Sequence, residues 1–285
     1  MKIFFRYGTF PLLLFGANAA IVALLGAGAP YWQPFAVLGS AVGFMFTAEW
    51  VIPYVSDWNA DHEDAWTNAL HAVANTVLSH AGVFALPWLA AAAPFKALWP
   101  SAWPFWLQVV VSILVLDLGI SAAHHASHRW NWLWRFHAVH HSARRLYGLN
   151  GLMKHPVHQM IETLSGVGPL WLLGIPQPVA AALAFCVAIQ LLLQHANADY
   201  RTGPLKYLFA NAEVHRFHHI NRAGEGDVNF GLFTALYDHL AGTFFYHAGG
   251  APRASDEVGL ADAPDFPRRY LAQLVRPFRS DTAAT

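Results

Sequence analysis

The chain has 285 residues, of which 55% are hydrophobic and only 12% are charged, whereas a typical soluble domain is about 25% charged. Basic and acidic residues both number 17, so no charge excess indicates nucleic acid or a cationic partner. The single cysteine, Cys186, excludes an intramolecular disulfide and any metal site built on several thiolates. This composition predicts an all-α integral membrane protein, which we treat as one membrane domain over residues 1–285.

Four apolar stretches are close to the roughly 20 residues that a helix needs to cross a bilayer. They predict spans at residues 10–29, 34–55, 66–93 and 103–123. The first stretch also has features of a signal peptide, because Lys2 and Arg6 precede an apolar run that ends in small residues. The run is longer than a usual signal-peptide core, so we favour an uncleaved first helix.

A further apolar region, residues 161–194, is interrupted by prolines and a glycine. Because proline breaks a helix, we expect two short helices here, either a hairpin or a re-entrant segment. The histidine-rich segments 124–160 and 195–247 predict a helical cap that holds a two-metal site. The tail, 249–285, contains an amphipathic stretch over 267–276 that predicts a helix, either in the lipid headgroup region or packed on the cap.

Basic residues indicate the orientation of the chain in the membrane. Lys2 and Arg6 precede the first span, which places the amino terminus in the cytoplasm by the positive-inside rule. Four crossings then return the chain to the cytoplasm at residue 124. The arginines and lysines of the cap agree with this direction, so the histidine clusters are expected to face the cytoplasm.

Three histidine clusters are the strongest functional signal: His124-x3-His128, His137-x2-His140-His141 and His215-x2-His218-His219. Neutral imidazole is the commonest protein ligand for transition metals. One zinc ion takes three or four protein ligands, so eight imidazoles suit two neighbouring ions. Residues three and four apart share a helix face, and the third histidine of each triplet turns away by about 100 degrees. We therefore expect each triplet to bind one ion with its first two rings and the other ion with its third.

The motifs resemble those of the fatty acid hydroxylase and sterol desaturase superfamily over about residues 110–247. The resemblance begins at Asp117 and the first two clusters, continues through Gln194-His195-Ala-Asn197 and the third cluster, and ends with Asp227-x-Asn229-Phe-Gly231 and Asp238…Gly242-Thr243. It implies an integral membrane enzyme with a histidine-bound two-iron centre that hydroxylates or desaturates lipids with O2 and electrons. It implies these metal ligands: His124, His128, His137, His140, His141, His195, His215, His218 and His219.

One position departs from the family pattern. The family usually has arginine directly after the first histidine, and this chain has His125 there. Either His124 or His125 can therefore face the metal, although the x3 spacing to His128 favours His124.

Other residues are candidates for binding a metal or for contacting a ligand histidine; they are His125, His155, His158, Asp117, Asn197 and Asp227. Asp117 is an acid within an apolar span, where acids are costly and are usually functional. It lies two helical turns before His124, so it is expected to accept the N–H of a ligand ring. Glu49 is a similar acid that can equally pair with another span. We expect no catalytic residue beyond the metal ligands.

These features predict an O2-dependent di-iron hydroxylase, or desaturase, that acts on an unactivated C–H of a lipid, sterol-like or terpenoid substrate. An external redox partner of the ferredoxin or cytochrome type is expected, since the chain shows no haem or flavin motif and its single cysteine cannot hold an iron–sulfur cluster. Zinc can replace iron in the purified protein. Two alternatives remain: a membrane metal transporter, and a non-catalytic membrane protein that binds zinc.

Overall fold

The structure, a computed structural model, describes residues 1–90, 92, 94–222 and 225–279. The ends of the predicted span 66–93 and of the tail 249–285 lie partly outside the described residues. The described residues contain isolated bridges but no named strand, so the prediction of an all-α protein is confirmed.

The chain folds into eleven described α-helices. They are α1 Lys2–Pro11, α2 Asn18–Gly26, α3 Trp32–Val51, α4 Ala65–Ala90, α5 Phe105–Arg129, α6 Asn131–His141, α7 Pro156–Leu172, α8 Gln177–His195, α9 Ala212–His218, α10 Leu236–Ala241 and α11 Tyr270–Val275. A π-helical turn, Leu12–Ala17, joins α1 to α2. Short 3-10 segments connect several of the others.

Five helices are long and apolar enough to cross a membrane, as expected of a multi-pass membrane protein. They are Lys2–Gly26, Trp32–Val51, Ala65–Leu89, Phe105–Arg129 and Gln177–His195. The first four overlap the predicted spans, with ends that differ by up to eight residues.

The fifth candidate lies in the apolar region 161–194, where the sequence predicted two short helices. Two helices are present, but α7 has 17 residues and α8 has 19. Pro169 lies within α7 without ending it. The break comes at Gly174, which has a positive φ of 78°, a conformation that glycine adopts without the steric cost of a side chain.

Helix α8 forms the centre of the bundle. In its most apolar stretch of 18 residues, 83% of the residues are buried, whereas the corresponding stretches of the other four candidate spans are 28% to 33% buried. Helices α2, α3, α4 and α5 all pack against it. A helix that is apolar on every side can be buried in protein or face lipid. The apolar residues of α8 are buried in protein because four helices surround it.

A glycine-rich 3-10 turn, Gly148–Leu152, crosses α8 close to the carboxyl end of that helix. A side chain at Gly151 would place its Cβ 2.5 Å from the carbonyl oxygen of Leu191, so only glycine permits this approach. The turn leads directly to Met153, whose carbonyl contacts His140. The crossing therefore positions the segment that borders the histidine clusters.

The tail helix α11 packs on the protein, as in one of the two predicted alternatives. The side chain of Gln273 lies 2.8 Å from His71 Nε2, and the ring of Tyr270 lies 4.6 Å from the His71 ring. The carbonyl of Leu274 contacts His155 Nε2 at 3.1 Å. The tail thus covers the α4–α7 side of the cap.

Candidate metal centre

Four helices bring nine histidines together. They form a five-histidine set, His124, His128, His137, His141 and His218, and a four-histidine set, His140, His195, His215 and His219. Within each set, one ring nitrogen from every member lies within 4.8 Å of the others. These nine residues are the same nine that the sequence and the family resemblance selected.

The triplets divide between the sets in a different way from the predicted one. His137 and His141 lie together in the five-histidine set, and His140 lies in the other. His215 and His219 share the four-histidine set, while His218 joins the five-histidine set. The expectation that residues three apart would pair was wrong. At about 100 degrees per residue, a spacing of four leaves two side chains about 40 degrees apart, and a spacing of three leaves about 60.

The facing nitrogens stand at distances that suit a shared metal. His124 Nε2 lies 2.9 Å from His218 Nε2, and His141 Nε2 lies 3.0 Å from His137 Nε2. In the other set, His195 Nε2 lies 3.1 Å from His215 Nε2. Two nitrogens bound at about 2.1 Å to one ion stand about 3.0 to 3.4 Å apart at tetrahedral or right angles. Both sets therefore have the donor type and the spacing of a metal site.

Burial keeps the imidazoles in the neutral form that binds metals. Burial lowers the pKa of the cap histidines well below the ordinary value, and neighbouring imidazoles lower it further. This applies to His137, His140, His141, His215, His218 and His219. A cluster of rings that stays unprotonated at neutral pH is ready to accept cations.

The outer nitrogens of five rings contact groups that can only accept a hydrogen bond. His128 Nδ1 donates to the carboxylate of Asp227 at 3.0 Å. The other four rings donate from Nδ1 to backbone carbonyls: His124 to Phe230, His140 to Met153, His195 to Leu191 and His218 to Val228. Because Nδ1 carries the proton, Nε2 presents its lone pair to the centre of the set.

Asp227 was a candidate for binding a metal or contacting a ligand histidine, and its carboxylate contacts the His128 ring. Its hydrogen bond from His128 lowers the pKa of the carboxyl below the usual range. Sequence reasoning did not find the four carbonyl contacts, since every residue has a carbonyl and no side-chain pattern marks the ones in use.

His124, and not His125, lies with the other histidines. The His125 ring stacks on Phe230 with 4.4 Å between centroids, and its Nδ1 lies 3.0 Å from the Tyr237 hydroxyl. Arg129 donates to its Nε2 at 3.2 Å. Both ring nitrogens of His125 thus contact residues outside the two sets. His124 belongs to the five-histidine set, as the x3 spacing to His128 favoured.

His155 and His158 occupy supporting positions next to the centre. His155 caps α7, because its Nδ1 accepts a hydrogen bond from the Val157 N–H at 3.1 Å. The buried His158 ring lies 4.4 Å from the His137 ring, and its Nε2 lies 2.9 Å from the Ser127 hydroxyl. Neither histidine belongs to the two sets, although His158 packs directly against one of them.

Asp117 has a different partner from the one expected of it. Its carboxylate accepts hydrogen bonds from the backbone N–H groups of Leu232, Phe233 and Thr234, at 2.8 to 3.0 Å, and from the Thr234 hydroxyl at 2.6 Å. The acid therefore holds the loop that follows Phe230, whose carbonyl contacts His124. It acts on the ligand ring through the backbone, because the loop lies between them.

Asn197 and Glu49 hold the carboxyl end of α8. One Glu49 oxygen accepts the backbone N–H groups of Gly148 at 2.8 Å and Asn197 at 2.9 Å. The side chain of Asn197 in turn bonds the backbone of Val55 in both directions, at 2.9 and 3.0 Å. Together they fix the chain just beyond His195, and neither side chain belongs to a histidine set.

A buried ion pair borders the space between the sets and was not found from the sequence. Lys154 Nζ lies 2.5 Å from Glu162 Oε2, and both side chains are buried. The two residues line a small space together with His124, His137 and His140. Lys154 precedes α7 and Glu162 lies within it, so no helical spacing in the sequence indicates that the two side chains pair.

Comparisons with known proteins agree with this architecture. The model of the fatty acid hydroxylase family matches residues 109–243, which contain both histidine sets. An ornithine lipid hydroxylase of Rhizobium tropici is 33% identical over 252 residues, or 84% of this chain and 73% of that protein. No solved structure matches the chain.

Two other relatives match shorter parts. A beta-carotene hydroxylase of Pseudescherichia vulneris is 33% identical over 137 residues, which cover 45% of this chain and 76% of that protein. An alkylglycerol monooxygenase of Xenopus tropicalis is 26% identical over 146 residues, covering 51% of this chain and 31% of that protein. All three relatives carry names of enzymes that add oxygen.

Proposed function

Because this chain belongs to the fatty acid hydroxylase family and is an oxidoreductase of that type, we propose that it hydroxylates an unactivated C–H bond of a membrane lipid with O2. The proposed cofactor is a pair of iron ions, one in each histidine set, held by the nine histidines. An external redox partner supplies the electrons. Hydroxylation is favoured over desaturation because three of the similar relatives are named hydroxylases or monooxygenases.

The single observation that carries this proposal is the pairing of two buried histidine sets that share α6 and α9. Each of these helices contributes to both sets, so neither set can form without the other being close. Imidazole suits iron as well as zinc, but zinc has no redox chemistry. An oxidoreductase with this donor set is therefore best served by iron, which when bound would supply the activation of O2.

The protein contributes position and exclusion of water. The ring orientations are held by the Asp227 carboxylate and by backbone carbonyls. Eight of the nine histidines are buried, and His128 is partly exposed. A buried site of this kind keeps water away from a reactive oxidant, which supports selective attack on the bound substrate.

Access for an apolar substrate is supported by a cavity of about 420 Å³ lined by residues of α4, α5, α7 and α8. Ile120 lines this cavity and also lines the small space among His124, His137 and His140. The cavity therefore lies next to the histidine sets, and the reactive carbon of a chain bound in it is proposed to reach them. We propose that the substrate enters sideways from the bilayer through this cavity.

The proposed substrate class rests on the relative that matches over 84% of this chain. That protein is named an ornithine lipid hydroxylase, so we propose a lipid with a polar head group and use ornithine lipid as the first probe. The metal centre is proposed to face the cytoplasm, in keeping with Lys2 and Arg6 at the amino-terminal end of the first candidate span.

The test is lipid mass spectrometry on cells that make ornithine lipid, with and without the protein. Wild-type protein should yield lipid species heavier by one oxygen, and His140→Ala and His218→Ala should yield none. His239→Ala is the matched control, because this exposed histidine contacts only the Tyr207 carbonyl among its hydrogen bonds. Unchanged product formation in the His140→Ala variant would end the proposal, as would two tightly bound zinc ions in a protein that is inactive after iron loading.

A further inference from the structure

The cavity lined by α4, α5, α7 and α8 is mostly apolar but includes the polar side chains of Ser79, Gln159 and Thr163. Its lining includes Val83, Leu86, Leu116, Val167 and Leu183. Among these apolar side chains lie Gln159 and Thr163, which are four residues apart and so share one face of α7. A polar pair inside a cavity otherwise suited to a hydrocarbon chain requires a reason.

The hydrogen-bonding capacity of Gln159 is not met by the protein. The residue is 8% exposed, and its Oε1 atom is buried without a hydrogen-bond partner. Its Nε2 lies 3.5 Å from the Thr163 hydroxyl, which is a long contact. A buried polar atom left unpaired costs about 1 to 3 kcal/mol, and leucine at this position would avoid that cost.

Two other buried polar side chains on α7, His158 and Glu162, each have one partner within the protein and one atom without a hydrogen bond. His158 Nε2 contacts the Ser127 hydroxyl at 2.9 Å, and Glu162 is paired with Lys154 at 2.5 Å. Gln159 differs from both because it lines the cavity, and its amide oxygen has no donor within the protein. This oxygen has almost no exposed surface, so the amide group must turn to meet a molecule in the cavity. Its partner is therefore to be sought among molecules that occupy the cavity.

We infer that Gln159, assisted by Thr163, is a binding subsite for a hydrogen-bond donor carried by the lipid substrate. This inference rests on the proposed function, because it assigns the cavity to the substrate. The donor is an amide N–H or a hydroxyl O–H within the part of the lipid that enters the cavity. A pure hydrocarbon chain would leave the amide oxygen unpaired, so the subsite selects against it.

The subsite is tested by binding of two matched probes to the detergent-solubilised full chain. N-octyl hexadecanamide and octyl hexadecanoate have the same two hydrocarbon chains. The amide carries an N–H donor where the ester has an oxygen atom. A secondary alcohol and its methyl ether make the corresponding pair for the O–H source. Wild-type protein should bind the donor member of at least one pair about tenfold more tightly, the size expected of one buried hydrogen bond.

The Gln159→Leu variant should lose this preference while binding the ester as well as wild type does. It should also raise the thermal midpoint of the ligand-free protein, because an unpaired buried amide is removed. Thr163→Val should reduce the preference by a smaller factor. Met160→Leu is the matched control, since this exposed neighbour does not line the cavity.

Equal binding of both members of both pairs by wild type would overturn the inference, and so would a preference that survives in Gln159→Leu. Binding needs neither metal nor turnover, so its outcome is separate from that of the histidine variants. Lipid hydroxylation without donor preference would remove the subsite and leave the hydroxylase. Donor preference without hydroxylation would remove the proposed function and leave a lipid-binding cavity.

Discussion

The two histidine sets use the same two helices, α6 and α9, but differ in the third helix and in their surroundings. The five-histidine set takes two further rings from α5 and is bordered by Asp227, a half-exposed carboxylate. The four-histidine set takes one further ring from α8, the most buried of the candidate spans. Its outer contacts are to the carbonyls of Met153 and Leu191.

This difference indicates that the sets are not equivalent. A carboxylate that accepts a hydrogen bond from a ligand ring makes the ring a stronger donor to the metal. Carbonyl contacts orient a ring with less effect on its charge. We therefore expect one metal position to be tuned by a charged, partly exposed group and the other by buried backbone.

Removal of one ring from each set should have the largest effect. His124→Ala removes a ring of the five-histidine set, and His195→Ala removes one of the four-histidine set. Each variant should lose one metal ion per chain and should lower turnover by at least about a hundredfold, since both positions are needed for the chemistry. Metal analysis of the purified variants, with His239→Ala as control, checks this. Two bound metal ions per chain in either variant would contradict the division of the histidines into two sets.

Acid pH tests a property that the two sets share. A buried neutral histidine binds fewer protons in the folded state than in the unfolded state, so stability is present above the ordinary pKa of about 6.5 and is lost as pH falls below it. Each of the six cap histidines contributes up to about 1.4 kcal/mol per pH unit, and the total is on the order of several kcal/mol. Thermal midpoints of the chelator-treated protein between pH 8 and pH 5.5 should fall steeply on the acid side; a flat profile would show that the rings are not buried as neutral groups.

The carboxylate beside the five-histidine set should matter to that set alone. Asp227→Asn removes the negative charge opposite His128 and should weaken one of two metal positions by about 10- to 100-fold. Competition with a chelator measures the two affinities separately. Glu225→Gln is the control, because this nearby exposed acid pairs with Arg222 instead. Equal weakening of both positions by Asp227→Asn would remove the distinction between the sets.

The smallest effect is expected at Glu49, which acts on the four-histidine set through the backbone beyond α8. Glu49→Ala leaves the N–H groups of Gly148 and Asn197 without their acceptor and should cost about 1 to 3 kcal/mol of stability. Glu49→Gln keeps an oxygen at this position and should cost less. Chemical unfolding and chelator competition measure both consequences. Loss of metal from the five-histidine set in Glu49→Ala would show that the acid acts on the whole centre.

Much of the centre could be predicted from the sequence, because histidine clusters next to apolar spans have few other uses. Eight of the nine histidines in the two sets were selected in this way, and His195 was added by the family resemblance of its Gln-His-Ala-Asn motif. The role of Asp117 was not predictable, because a helical register shows which residues share a face but not which loop covers it. The length of α8 was also missed, since the prolines near its start suggested short helices, whereas Pro178 lies in the first turn, where proline is tolerated.

The amino-acid sequence by itself determined the class of protein, the ligand type and the identity of the candidate ligands, because these depend on composition and on local spacing. Tertiary structure decided which rings share a set, that His124 points inward while His125 points to Tyr237, and that Gln159 borders a cavity. Those outcomes depend on the rotation of each helix about its axis and on what packs against it. Such relations between distant segments arise only when α5, α6, α8 and α9 meet.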